Sequence, residues 1–302
     1  MEKFEINILG CGSAVPTPFH NPASQVINFR DHLYMIDCGE GTQSMMRRMG
    51  LKFSRLRHIF ISHMHGDHCL GLPGILSTMG LLEVGGHINV YVPRQGLDIM
   101  ERTIRFFCRD EEPEIHIIPI DGASTLLDTP SLTVRAIPLY HRVEAYGFIF
   151  SEKPKSRHIN GEMIRYLNVP IRDLPAIREG ADWTAPDGTI YPNSRLTSPP
   201  DPSRSYAYCS DTVYNPAVAK AVGPVDLLYH EATYTSDLAE RAIARGHSTA
   251  AQAAAIAKEA GAKALLIGHY SKRYRDTEPL RAEAAEIFPD VTAATESMTI
   301  RL

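Results

Sequence analysis

No apolar run in these 302 residues approaches the ~18 that a membrane span needs. Cysteine is sparse. The five (Cys11, Cys38, Cys69, Cys108, Cys209) are odd in number, scattered and never in a CxxC pair, so neither a disulfide framework nor a cysteine zinc knuckle is expected and cytoplasm is the default compartment. A secretory signal is not expected either, because residues 1–10 carry charges and alternate Phe4, Ile6 and Ile8 like a half-buried strand. Positive charge is not in excess: a formal charge of -4 does not mark a nucleic-acid binder, so such a partner has to be argued from local charge. No fixed-period repeat is present. What remains is an ordinary globular composition, 44% hydrophobic and 22% charged, with ample material for a core in one large domain or two.

Against this background one stretch stands out, Phe60-Ile61-Ser62-His63-Met64-His65-Gly66-Asp67-His68-Cys69. Residues 56–61 read as a buried strand, and four candidate metal ligands, His63, His65, Asp67 and His68, follow within six residues. Burying three imidazoles and a carboxylate without partners is costly, whereas imidazole and carboxylate are ligands that hold zinc at neutral pH. Gly66 is expected to let the backbone turn sharply there.

Along the chain, strands are expected at 24–29, 33–37, 87–92, 132–138, 206–212, 225–230, 264–267 and 297–302. Helices are expected at 42–49, 75–82, 96–107, 237–245 and 278–287. Thr249 with Gln252 forms a capping-box signature for an alanine-rich helix ending at Gly261. Alternating strands and helices argue for an α/β or layered sandwich. Residues 152–205 differ, with eight prolines and sparse apolar periodicity; they read as a functional excursion or a disordered segment. Eight Lys and Arg against seven Asp and Glu make that excursion a weak electrostatic grip. A local basic block, Arg47, Arg48, Lys52, Arg55 and Arg57, is either a solvated helix face or a nucleic-acid contact.

Further strands end in His141, Asp211 and His269, and α/β proteins build sites where strand ends converge. Seven ligands are too many for one tetrahedral zinc and suit two. With Asp211 bridging, one ion takes His63, His65 and His141, the other Asp67, His68 and His269. Such a pair supplies hydroxide at neutral pH and stabilises charge on attacking and leaving oxygens, which is hydrolytic chemistry. Asp37 either orients a ligating histidine from behind or caps a helix. His247, just before a helix N-terminus, is either a catalytic group or part of a capping loop.

The HxHxDH cluster with downstream His141, Asp211 and His269 resembles the metallo-β-lactamase superfamily, which implies a four-layer αβ/βα sandwich. More specifically, Asp37-Cys38-Gly39-Glu40-Gly41-Thr42-Gln43, the segment 62–74, His141-Arg142-Val143, Ser210-Asp211-Thr212, His230-Glu231-Ala232-Thr233 and Gly246-His247-Ser248-Thr249-Ala250-Ala251-Gln252 resemble ribonuclease Z, over nearly the whole chain. The resemblance implies a zinc-dependent endonuclease that removes the 3′ trailer of precursor tRNA by hydroxide attack on the phosphodiester. The tRNA keeps a 3′-hydroxyl and the trailer a 5′-phosphate. It implies two Zn2+ per subunit, other divalent metals being possible, and a homodimer in which one subunit's arm holds tRNA at its partner's site.

Under this resemblance Asp67 ligates metal and handles the water's proton, while His247, oriented by Glu231, stabilises the phosphorane or protonates the leaving oxygen. Asn21, Arg273, Arg47 and Arg48 are candidate substrate contacts. The alternative is a binuclear-metal phosphodiesterase of the same fold acting on small phosphodiesters or another RNA. Two positions depart from the family pattern. In the family's Pro-x-Lys-x-Arg-Asn loop, Pro16 and Asn21 match but Pro18 and His20 replace the basic pair. Residues 152–205 occupy the place of the family's flexible arm without its Gly-Pro motif, with Val169-Pro170-Ile171-Arg172 in that vicinity.

Overall fold

The computed structural model describes residues 2–108 and 113–302. Two seven-stranded mixed sheets face one another. The first runs in the order Thr299–Arg301, Phe4–Gly10, Ser24–Phe29, His32–Ile36, Leu56–Phe60, His87–Pro93, Glu114–Ile120. The second runs Val291–Ala293, Ala264–Gly268, Leu227–Glu231, Ser205–Cys209, Ala145–Glu152, Leu132–Leu139, Ser124–Asp128. Strands buried on both faces read as continuous apolar runs, because alternate side chains serve two different cores. In Leu56–Phe60 and the residue after it, Phe60 packs between the sheets against Phe148 and Phe150. Ile59 and Ile61 point the other way, into a core shared with Met46, Leu72, Ile75 and Met79 of the outer helices.

That outer layer consists of Thr42–Arg48, Leu72–Leu81 and Leu97–Phe107. Over the second sheet lie Pro216–Val222, Ala250–Ala260 and Glu278–Ala285. Alanines at 253, 254, 257 and 260 let the middle helix sit close on its strands. The predicted capping box is present: the Thr249 hydroxyl accepts from the Gln252 N–H, and the Gln252 side chain accepts from the Thr249 N–H. Four layers in αβ/βα order follow, the metallo-β-lactamase sandwich that the resemblance implied. Strands Glu114–Ile120, Ser124–Asp128, Ala145–Glu152 and Val291–Ala293 were not anticipated; the first two and the last lie toward sheet margins, where partial exposure blurs the apolar pattern.

The proline-rich segment is a small lobe with secondary structure of its own. Its helices are Gly161–Tyr166, Leu174–Arg178 and Asn193–Leu196, and its two ladders pair His158–Ile159 with Thr197–Ser198 and Trp183–Thr184 with Ile190–Tyr191. Ile164, Val169, Ile177, Trp183 and Leu196 form a separate core. Elements of two to six residues are too short for a period to show, which is why the segment looked patternless. At its base the Arg204 guanidinium donates to both carboxylate oxygens of Glu152, at 2.9 and 2.6 Å, and also to the carbonyls of Glu2 and Leu302.

Candidate active site at the strand rim

Strands Leu132–Leu139, Ser205–Cys209, Leu227–Glu231 and Ala264–Gly268 run in one direction, so their C-terminal ends share a rim. Leu56–Phe60 of the facing sheet ends at the same rim, where the Tyr146 N–H donates to the Ser62 carbonyl across the sheets. The histidine cluster leaves this strand extended as far as His65 and then enters one helical turn, Gly66–Cys69. This corrects the expected loop geometry: Gly66 is absent from the positive-φ residues, and the helical turn rather than a glycine conformation swings Asp67 and His68 back toward His63.

All seven predicted ligands converge in the two expected sets. In the first, His63 Nε2 and His141 Nε2 lie 3.0 and 3.2 Å from His65 Nδ1, with Asp211 Oδ2 at 3.6 Å from His63 and 3.9 Å from His141. In the second, His68 Nε2 is 3.2 Å from His269 Nε2, and Asp67 Oδ2 is 3.5 Å from each. Asp211 Oδ1 lies 3.5 Å from His68 and 3.2 Å from His269, so the two oxygens of one carboxylate serve the two sets. Ligand nitrogens about 2.0–2.1 Å from a tetrahedral zinc are spaced by roughly 3.3 Å. Asp211 Oδ1 is buried and has no hydrogen-bond partner, which a cation at this place would supply. The residues therefore fit a pair of zinc-type ions.

Backing groups fix the ligands. His141 Nδ1 donates to the Gly246 carbonyl at 2.7 Å; Gly246 has φ 80°, and a Cβ there would meet His141 Nδ1 at 2.6 Å, so only glycine fits. Thr233 Oγ1 donates to Glu231 Oε2 and accepts from His269 Nδ1 at 3.0 Å. Asp37 resolves the alternative left open for it. Its Oδ2 accepts from His68 Nδ1 and from the Tyr208 hydroxyl, while helix Thr42–Arg48 is capped by Gly41 instead. Asp37 and His269 both hold left-handed backbones, φ 55° and 62°, a strain that the surrounding bonds over-determine. Burial pushes the imidazoles of His63, His65 and His141 below their ordinary value, which keeps their lone pairs available to a metal.

Glu231 is fully buried and accepts from five donors: the N–H groups of Thr212, Thr233 and Ser248, the Thr233 hydroxyl and His247 Nδ1 at 3.1 Å. Burial opposes charge on His247, but Glu231 and Asp211 outweigh it and raise the imidazole to about 9. His247 thus lies beside both expected sets, within reach of Asp211 and His269, on a side chain that Glu231, the Ala242 carbonyl and the glycine turn at 246 aim inward.

A cleft of about 320 Å³ over the ligands is walled by Ser13, Ala14, Pro16 and Arg142, and His247 lies at its edge. Ser13, Ala14, Arg142 and His247 also line a second cleft of about 600 Å³, together with Arg241, Arg245, Lys272 and Arg273. Arg273, one of the expected substrate contacts, therefore lines this second cleft. Arg241 and Arg245 were missed; their only signal was an i,i+4 pair of arginines on helix Ala239–Arg245. The other expected contacts lie elsewhere. Arg47 sits over the Phe53 ring and Arg48 donates to Met45 Sδ, both at the C-terminal end of their helix, where cations complement its dipole. Asn21 donates to the Leu9 carbonyl and lines neither cleft.

Similarity to known proteins extends along the whole chain. It is 49% identical over 302 residues to ribonuclease Z of Parabacteroides distasonis, covering 99% of each, and 49% identical over 304 residues to ribonuclease Z of Porphyromonas gingivalis, covering 100% of each. Among solved structures, human tRNase Z, short form, matches with a TM-score of 0.71 at 26% identity over 98% of both chains. A metallo-β-lactamase fold protein of Bacillus subtilis matches equally well at 18% identity, which speaks for the fold alone. A family model described as Anti-Pycsar protein Apyc1 matches residues 4–118, less than half of the chain.

Proposed function

The chain belongs to the ribonuclease Z family, and from that premise we propose that it is a metal-dependent endoribonuclease that removes the 3′ trailer from precursor tRNA. The observation that carries this reading is the place of His247, an imidazole held by Glu231 and shared between the ligand cleft and the arginine-lined cleft. Hydrolysis of a small ester needs the first cleft alone; a phosphodiester in a long polyanion uses both.

His63, His65, His141 and Asp211 would hold one zinc-type ion, and Asp67, His68, His269 and Asp211 the other. Such a pair supplies Lewis-acid activation of water and a positive field for phosphate oxygens. Around it the chain's own groups act. Asp67 is pinned at Oδ2 by the Ala14 N–H at 2.7 Å; its carboxylate orients the attacking water and receives its proton. As the new bond forms to phosphorus, the bond from phosphorus to O3′ of the tRNA breaks. His247, with Nδ1 committed to Glu231, donates from Nε2 to that leaving oxygen, giving a 3′-hydroxyl on the tRNA and a 5′-phosphate on the trailer.

The lobe supports a homodimer. It springs from the far end of Ala145–Glu152, and eight residues at about 3.4 Å each put its base roughly 27 Å from the rim, so it serves a site on a second subunit better than its own. No helix among the described residues is long and apolar enough to cross a membrane, and we place the enzyme in the cytoplasm with its substrate.

The test is incubation of the zinc-loaded protein with a precursor tRNA bearing a 3′ trailer, with Asp67→Ala as control, and mapping of the product ends. Cleavage after the discriminator base, absent in the control, is the expected result. Hydrolysis of bis(p-nitrophenyl) phosphate with precursor tRNA left intact would instead favour the small-phosphodiester reading.

A further inference from the structure

Three side chains that the reaction does not use converge on a separate point. Cys11 Sγ lies 3.4 Å from His20 Nδ1 and 3.4 Å from Glu296 Oε1, and His20 Nδ1 lies 3.0 Å from Glu296 Oε2. They come from distant parts of the chain: the residue after the first strand, the loop behind it, and the turn before the last strand. Cys11 is fully buried, and the side chains of His20 and Glu296 are 12% and 16% exposed. The Asn21 N–H donates to Glu296 Oε1 at 2.9 Å and orients that carboxylate.

A tetrahedral zinc with sulfur at about 2.3 Å and nitrogen or oxygen at about 2.0–2.2 Å spaces its ligand atoms by roughly 3.3–3.6 Å. The two sulfur separations, to His20 Nδ1 and to Glu296 Oε1, fall in that range, while the 3.0 Å from His20 Nδ1 runs to the other carboxylate oxygen, Oε2, and is shorter. One thiolate and one carboxylate cancel a divalent charge, which a mostly buried place requires, and a neutral imidazole completes a donor set suited to zinc. We propose that Cys11, His20 and Glu296 form a third metal site, for one zinc-type divalent ion, distinct from the two ligand sets at the rim. Binding forms a sulfur–metal bond and releases the Cys11 thiol proton to solvent. Burial and the neighbouring carboxylate push that thiol well above its ordinary value, so uptake strengthens as pH rises.

Its consequence is mechanical. The loop from 11 to 21 donates the Ala14 N–H to Asp67 and the Ser13 N–H to the Tyr270 carbonyl, while the Tyr270 N–H donates to the Cys11 carbonyl. One loop thus braces Asp67 and the residue after His269. An ion joining Cys11 and His20 to Glu296 ties both ends of this loop to the C-terminal segment. The histidine that departs from the basic loop pattern of the family is one of its ligands.

The test is cobalt(II) titration of the metal-stripped full-length protein. Because the rim ligands are nitrogen and oxygen only, sulfur-to-cobalt charge-transfer absorption in the near ultraviolet reports a cysteine ligand. We expect three equivalents bound, with this absorption present. Cys11→Ser and Glu296→Gln should bind two equivalents and lose it. Cys69→Ala should keep it, although Cys69 Sγ lies 3.3 Å from the His65 carbonyl. Circular dichroism and retention of two equivalents show that each variant is folded, and if Cys11→Ser does not fold, Glu296→Gln decides. Only two equivalents without the absorption in the wild type, or absorption that survives Cys11→Ser, or that vanishes in Cys69→Ala alone, would overturn the site.

Discussion

Oδ2 of Asp37 lies 2.8 Å from Nδ1 of His68, and neither side chain is exposed to solvent. The bond fixes the proton on Nδ1 and turns Nε2 toward Asp67, Asp211 and His269. Asp37→Asn keeps the shape, and asparagine tolerates the left-handed backbone at this position. Affinity for the ion of the second set should fall about 10–100-fold. Competition with a chromophoric chelator measures this, and unchanged affinity would mean that Asp37 is structural only.

His247→Ala should lower turnover on precursor tRNA by roughly 10²–10⁴ while leaving metal content and KM near those of the wild type. Glu231→Gln should show a smaller loss, since the imidazole keeps a partner but loses its counter-charge. Single-turnover cleavage with parallel metal analysis reads both. Full activity in His247→Ala would take this residue out of the chemistry.

Arg241 and Arg245 line the basic cleft and, among the described residues, form no ion pair. Replacing both with alanine should weaken precursor-tRNA binding and reduce the slope of log K against log salt by about 1 for each phosphate that is no longer neutralised. Hydrolysis of a small phosphodiester should be unaffected. A salt slope equal to that of the wild type would place the RNA elsewhere.

The base of the lobe gives a pH prediction. Burial opposes the charge of Glu152, but Arg204 and Lys155 pull the carboxyl down to about 2, below the ~4.3 of an unfolded chain. A depressed carboxyl contributes stability above the unfolded value and loses it as pH falls toward the folded one. Glu152→Gln should therefore cost about 2–3 kcal/mol at neutral pH, and the gap to the wild type should close between about pH 4 and 2. Urea denaturation at stepped pH tests this; a gap that does not change with pH would mean that the ion pair is not its source.

Local chemistry was legible wherever function packs it into a few consecutive residues. His63, His65, Asp67 and His68 carry their meaning in their spacing, and the fold only had to deliver His141, Asp211 and His269 to them. Asp37 and His247 each allowed two readings, because whether a side chain faces a ligand or a helix end depends on neighbours 31 and 16 positions away. The lobe hid its order in elements shorter than one hydrophobic period, and the basic cleft gathers cations from three separate segments.

By itself the sequence determined the layered α/β class and singled out the seven candidate ligands that the fold gathers at one rim, because strand periodicity and ligand type are local properties. Only the tertiary structure decided that Asp37 backs His68, that Glu231 raises His247, that Arg241 and Arg245 flank the site while Arg47 and Arg48 do not, and that Cys11 meets His20 and Glu296. Each of these depends on distances between residues remote in the chain, and those are set when two buried sheets choose their register and pack face to face.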